Sequence, residues 1–144
     1  MKTIEEIGAE FEADTVIDQR YLDKESIRVP SLIAKWSTEL ARHVQAANEK
    51  RLELQKLYLY KELFYMKKLP GEVYKKTPMP HTIDSRTGAK TWIEADSEYQ
   101  KLQRIINDHD VCIDRITNGM QELHNRSFTI KNIIAWHSYQ NGAN

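Results

Sequence analysis

Between Tyr99 and Leu123 the sequence carries one seam without a miss. Tyr99, Leu102, Ile106, His109, Ile113, Ile116, Met120 and Leu123 are separated by 3, 4, 3, 4, 3, 4 and 3 residues. An α-helix places positions three and four apart on one face, and a seam of this period is buried against a second helix. The spacing predicts a long helix over 96–125. A partner is at hand in Ile33, Leu40, Ala47 and Leu54, seven apart and interleaved with Trp36, Val44 and Tyr58, with no proline or glycine from Ser31 to Lys68. This second helix, expected over 31–69, would measure about 57 Å from Ser31 to Lys68. Arg51 and Lys61 interrupt its seam, so its second half is expected to be partly exposed. In a chain of 144 residues a helix of that length finds cover only against another long one. The expected fold is therefore all-α, a long antiparallel helical hairpin in a single helical domain, 1–144.

The flanking segments are read from their caps and breakers. Thr3-Ile4-Glu5-Glu6 has the form of a capping box, opening a short helix through Ile4, Ile7 and Phe11 in an N-terminal segment, 1–30. Asp18 is a plausible N-cap for a turn or helix through Tyr21-Leu22, and Pro30 marks a break or the first turn of the next element. Residues 70–95 hold Pro70, Gly71, Pro78, Pro80 and Gly88, and this connecting loop is expected to be non-helical, with a small β-hairpin over Ile83–Ile93 closed at Arg86-Thr87-Gly88. Asn125-Arg126-Ser127 offers a break and a new N-cap for a C-terminal helix, 127–141, that Gly142 can end. Phe128, Ile130, Ile133, Ile134 and Trp136 make that helix apolar on more sides than one chain can cover, which predicts a homo-oligomer assembled through it.

Catalytic chemistry is sought without result. The five histidines are 13 or more residues apart, so no pair has the spacing of two metal ligands on one helical face. His109, at a core position of the seam, reads as a polar residue that sets helix register. There is no glycine-rich phosphate loop and no nucleophile in an elbow-like glycine context. The reading assigns no catalytic residue, no metal ligand and no cofactor, and expects a non-enzyme. No apolar run approaches a membrane span, the N-terminus lacks a signal-peptide core, and the single cysteine, Cys112, fits a reducing compartment. A cytoplasmic location is expected.

Charge is uneven beneath a formal total of zero. Residues 1–40 carry 5 basic and 9 acidic side chains, 41–76 carry 9 and 4, and 77–144 carry 7 and 8. The middle block, net +5, includes Arg51, Lys56, Lys61, Lys67 and Lys68, and it would draw a polyanion. Within it, helical spacing puts Tyr58, Lys61 and Tyr65 on one face and Tyr60, Phe64 and Lys67 on an adjacent one. Cations for phosphates and rings for unstacked bases are the ingredients of sequence-independent single-strand binding. The alternative is that Tyr58 and Tyr65 belong to the core, with lysine stems packed around them.

Four stretches of the sequence then resemble one family. Ile17-Asp18 stands ahead of Lys35-Trp36, and the long helix carries a basic-x-x-aromatic-aromatic motif at Lys61-Glu62-Leu63-Phe64-Tyr65. Ala95-Asp96 stands ahead of Arg126, and the chain closes on Arg126-Ser127-Phe128-Thr129-Ile130-Lys131-Asn132-Ile133. Together they resemble the UvsY recombination mediators of T4-like bacteriophages over about residues 16–142. The resemblance implies a small helical protein that forms a ring-like homo-oligomer of six or seven subunits and binds single-stranded DNA. It also implies loading of the phage recombinase onto strands coated by single-strand binding protein, in the cytoplasm of the infected host and without nucleotide hydrolysis by the mediator. It carries the DNA contact to Lys61, with Phe64 and Tyr65 beside it, and assembly to the C-terminal element. One departure stands out: the family's Tyr-Tyr-x-Gly turn is replaced by Phe64-Tyr65-Met66-Lys67-Lys68, whose lysines could take over phosphate contacts. A structural, scaffolding or partner-binding helical oligomer with no DNA role is the competing class.

Overall fold

The computed structural model describes residues 1–79, 83 and 85–142; Pro80, one of the five histidines (His81) and one residue of the expected hairpin (Asp84) lie outside the described residues. Among the described residues five α-helices follow in order, α1 (Ile4–Thr15), α2 (Leu22–Tyr65), α3 (Gly71–Lys76), α4 (Arg86–Ala95) and α5 (Ser97–Gly142), with a 3-10 turn at Gln19–Tyr21. No strand occurs among the described residues. The chain forms two compact units, a terminal one of residues 1–45 with 109–144 and a central one of residues 46–108. The long helices α2 and α5 contribute to both.

In the terminal unit the capping box forms as expected, the Glu6 amide donating to the Thr3 hydroxyl at 3.3 Å and the Thr3 amide to the Glu6 carboxylate at 2.8 Å. It launches α1 so that Ile7 and Phe11 enter a core shared with Leu32, Trp36, Cys112, Ile116 and Leu123. Phe11 stacks on Trp36 with ring centroids 3.8 Å apart. Gly119 makes room for that stack, because a Cβ there would stand 2.4 Å from the Phe11 ring.

Polar groups staple this core. The Asp14 carboxylate accepts from Trp36 Nε1 at 2.9 Å and from Lys35 Nζ at 2.7 Å. Arg126, buried, donates to the backbone carbonyl of Asp14, to that of Val16 at 2.7 Å and to Glu25 at 2.6 Å. The pairs Glu25–Arg126 and His43–His109 show α2 and α5 running antiparallel here.

Two expectations fail in this unit. Pro30 does not open α2 but lies within it, nine residues in. An interior proline costs a helix about 3 kcal/mol. Against that cost stand the Glu25 bond to Arg126, an Arg28–Asp14 ion pair at 3.5 Å and the buried Val29, while Pro30 itself faces solvent. Nor is there a break at Asn125-Arg126-Ser127: α5 continues to Gly142, so the separate helix over 127–141 is its last part. The weak helix preferences of Asn and Ser yield to the Arg126 anchorage between them.

The buried face of α2 is Leu32, Trp36, Glu39, His43 and Ala47, and Val44, expected in the seam, is exposed. Glu39 is tolerated inside because it accepts the Lys2 amide at 2.7 Å and an Arg42 nitrogen at 3.3 Å. His43 Nδ1 meets His109 Nδ1 at 3.1 Å, a contact that needs one ring to donate and the other to accept. His109 is thus a pairing residue in the helix interface. Burial pushes the His43 pKa below 6.5, and the charge of His109 adds to this, against the opposing carboxylate of Glu39.

A sign follows for stability. The unfolded chain takes up a proton on His43 near pH 6.5 while the folded one does not, so stability is lost as pH falls from about 6.5 through the depressed folded value. The urea midpoint is expected to drop between pH 7.5 and 5.5. His43→Asn, which can replace the Nδ1 contact without titrating, should flatten that drop; an unchanged drop in the variant would acquit His43.

In the central unit Tyr58 packs edge-on to Tyr99 and Lys61 reaches Glu98, again an antiparallel pairing of α2 with α5. The connecting segment, expected to be a loop with a hairpin, is instead partly helical. Pro70 occupies the N-cap of α3, where a missing N–H costs nothing, since that N–H would have no intrahelical partner. The Tyr74 hydroxyl donates to the Phe64 carbonyl at 2.7 Å, a second bond to an acceptor at the end of α2 that also takes the Lys67 amide. The proposed turn at Arg86-Thr87-Gly88 is the first turn of α4: Ser85 caps it by accepting the Gly88 amide at 3.0 Å, and Ala89 and Ile93, four apart, are buried. Asp96 then caps α5, its carboxylate accepting the amides of Glu98 at 3.0 Å and Tyr99 at 3.2 Å.

Candidate nucleic-acid interface

The central unit holds the basic-aromatic stretch, and its 12 basic against 9 acidic residues give it a net +3, where the terminal unit has 9 against 12 and −3. Lys61 is not a free cation. It is buried, with Nζ 3.1 Å from Asp96 and 3.3 Å from Glu98. Burial alone would lower its pKa, but the hydrogen bond and charge of Asp96, joined by Glu98, outweigh it and hold the ammonium above its ordinary range. Asp96 also accepts the Tyr65 hydroxyl at 2.8 Å. Burial would raise the Asp96 carboxyl, yet the hydrogen bonds from Tyr65 and Lys61 keep it below the usual range. The Tyr65 phenol is pushed up to about 12, by burial and then by its bond to Asp96, so it stays a donor near neutral pH. Lys61, Tyr65 and Asp96, drawn from two of the matched stretches, thus form one interior triad.

The remaining candidates divide by exposure. Phe64 is buried and stacked on Tyr74, and Tyr58 is half-buried against Tyr99. Lys56, Lys67, Lys68 and Arg51 are exposed, Arg51 donating to Asn48 at 3.2 Å. Among the described residues of the central unit, the rings most open to solvent are Tyr60, 46% exposed, and Trp92, 38% exposed. The sequence does not single out Trp92, because its segment carries the breakers of a hairpin while forming α4. Helical spacing from the buried pair Ala89 and Ile93 is the signal that would have put it on the flank of a helix.

Lys67 sits where α2 ends, with φ +56°. Its amide bonds the Phe64 carbonyl at 3.1 Å and the Lys68 amide bonds the Leu63 carbonyl at 2.9 Å, the two bonds of a Schellman cap, whose left-handed residue is usually glycine. A left-handed conformation costs a side-chain-bearing residue roughly 1–2 kcal/mol. Lys67→Gly should therefore stabilise the chain by about 0.5–1 kcal/mol after glycine's own entropic cost, read as a raised urea midpoint. A lower midpoint would mean the strain lies elsewhere.

The expected assembly residues also divide. Phe128 is 68% and Trp136 58% exposed, Ile134 is exposed and Ile133 half-buried, but Ile130 is buried, 2% exposed. Trp136 stacks on the exposed Tyr139 with centroids 6.0 Å apart, so the apolar face of α5 near its end is a stripe rather than a full surround. Among the described residues no cluster of three or more His, Cys, Asp or Glu is placed to hold a metal, and no helix is long and apolar enough to cross a membrane.

These features define a class of all-helical protein in which long antiparallel helices bury polar staples and leave a lysine-rich helix end exposed. The chain belongs to the UvsY family, described as recombination, repair and single-stranded DNA binding protein, whose model matches residues 10–143. Crystal structures of the bacteriophage T4 recombination mediator protein UvsY share the fold. One, in lattice type IV, matches with a TM-score of 0.81 at 16% identity, covering 97% of this chain and 99% of that one. A second, in lattice type II, gives 0.79 at 18%, covering 98% and 99%, and a third, in lattice type I, 0.75 at 18%, covering 93% and 98%. No curated protein matches the chain in sequence.

Proposed function

We propose that this protein is a recombination mediator that binds single-stranded DNA without sequence preference, as a ring-like homo-oligomer of six or seven subunits. Family membership and fold support a role in recombination and single-strand binding. The observation that carries the reading to particular residues is the exposure of Lys56, Lys67 and Lys68 in a unit of net positive charge, Lys67 being held at a strained helix cap. Lys61, which the family motif would place on the DNA, acts in this reading as a positioning residue: a phosphate contact would require it to leave two carboxylates. The exposed stripe at Phe128, Ile134 and Trp136 supports assembly through the end of α5. A ring repeats the lysines, so contacts that are weak singly become a multivalent, salt-sensitive track. Bending the strand on that track would loosen single-strand binding protein and present the strand to the phage recombinase, in the cytoplasm of the infected bacterium.

The test is charge reversal. Lys67→Glu with Lys68→Glu should weaken oligo-dT binding strongly and reduce the dependence of log affinity on log salt by about 1.4 for each protomer on the strand, with oligomer mass unchanged. Unchanged affinity and salt slope would remove these lysines from the DNA path. No binding by the wild type would favour the structural or partner-binding oligomer.

A further inference from the structure

We propose that the cavity of the central unit receives one unstacked nucleobase of the bound strand, with Trp92 as its stacking surface. The proposal rests on the strand-binding reading above and adds a base subsite to it. The cavity holds about 430 Å³, within the range of pockets that take small flat ligands. Its lining includes four rings, Tyr60, Phe64, Tyr65 and Trp92, of which Tyr60 and Trp92 are also open to solvent. Tyr65 is fixed by its bond to Asp96, and its centroid is 6.1 Å from that of Trp92. A wall already held in place loses little freedom when a ligand arrives.

The charges at the cavity select which part of a nucleotide enters. Lys61, Asp96 and Glu98 line it together, one cation with two anions, and this surplus of negative charge repels a phosphate. A neutral heterocycle is not repelled. Its ring N–H or amino groups can donate to Glu98, which keeps acceptor capacity because it is exposed and has its bond from Lys61 on one oxygen. Phosphates are served outside by Lys67 and Lys68 beyond Tyr65, and by Lys75 and Lys76 of α3, all exposed; α3 also contributes Val73 to the lining. Base and backbone of a strand would thus be sorted to different surfaces of one unit.

The experiment compares a fluorescent dT oligomer with an abasic oligomer of equal length, binding the full chain and its Trp92→Ala and Trp92→Phe variants. A stacked base is worth about 1–3 kcal/mol, so Trp92→Ala should lose about 5-fold or more on dT, by the conversion of 1.4 kcal/mol per tenfold. It should lose nothing on the abasic strand, and Trp92→Phe should keep most of the dT affinity, which also covers the case in which the alanine variant misfolds. Equal wild-type affinity for the two oligomers, or an equal loss on both with Trp92→Ala, overturns the base subsite and leaves strand binding standing. Binding of neither oligomer by the wild type overturns the strand-binding reading and the subsite with it.

Discussion

Arg126→Ala is expected to cost about 3–5 kcal/mol, the penalty for removing one partner of a buried, hydrogen-bonded charge pair. The guanidinium satisfies two backbone carbonyls at the end of α1, those of Asp14 in its last turn and Val16 just beyond it, together with the Glu25 carboxylate of α2. Removing it strands a buried carboxylate, leaving it Arg28 at 3.7 Å as its ion-pair partner among the described residues, and unties the α1–α2 connection from α5. Against a total stability of roughly 5–15 kcal/mol for a domain, the variant should unfold at a much lower urea concentration. Arg126→Lys should restore only part of the loss, because a single ammonium cannot reproduce a planar fork that reaches three oxygens. A midpoint within experimental error of wild type for the alanine variant would contradict this anchorage.

Trp36→Ala should be comparably severe, about 3–5 kcal/mol. Trp36 is fully buried, stacked on Phe11, and donates its indole N–H to Asp14. The Phe11 ring, with Gly119 beneath it, would lose its stacking partner and face a cavity. Trp36→Phe keeps the stack and removes only the hydrogen bond, so it should cost less than the alanine change, about 1–2 kcal/mol from the lost indole donor. Chemical denaturation of the three proteins gives the ordering directly; equal losses for Phe and Ala would place the energy in the hydrogen bond instead of the packing.

The long helices were legible because their periodicity is strong and local. Every residue of the seam from Tyr99 to Leu123 is buried or half-buried, and the Thr3 capping box and the Asp96 start of α5 form as their side chains dictate. What misled is polar character placed inside. Glu39 and His43 occupy the buried stripe of α2, so a reading by apolarity chose Val44. Lys61 read as an exposed cation because its partners, Asp96 and Glu98, lie 35 and 37 positions away. Arg126 read as part of a helix break because its partners, near residues 14 to 25, are about a hundred positions away. Pro70 and Gly88 are helix breakers in an interior but are harmless at a helix start, Pro70 at the N-cap of α3 and Gly88 in the first turn of α4. The candidate site was thus legible as a composition of lysines and rings, whereas the division into interior triad and exposed surface depends on long-range pairing that spacing does not encode.

That division also assigns the matched stretches a physical role. Lys35 and Trp36 meet at Asp14, Lys61 and Tyr65 meet at Asp96, and Arg126 closes the terminal unit. These residues hold the helices together, and in the function proposed above it is the exposed lysines that would meet the strand.

Light scattering of the purified protein with and without oligo-dT, at low and high salt, tests the central claim most directly. The account predicts a particle of several subunits that gains the mass of the strand at low salt and releases it at high salt. A monomer or dimer whose mass is indifferent to oligo-dT at both salt concentrations would contradict it.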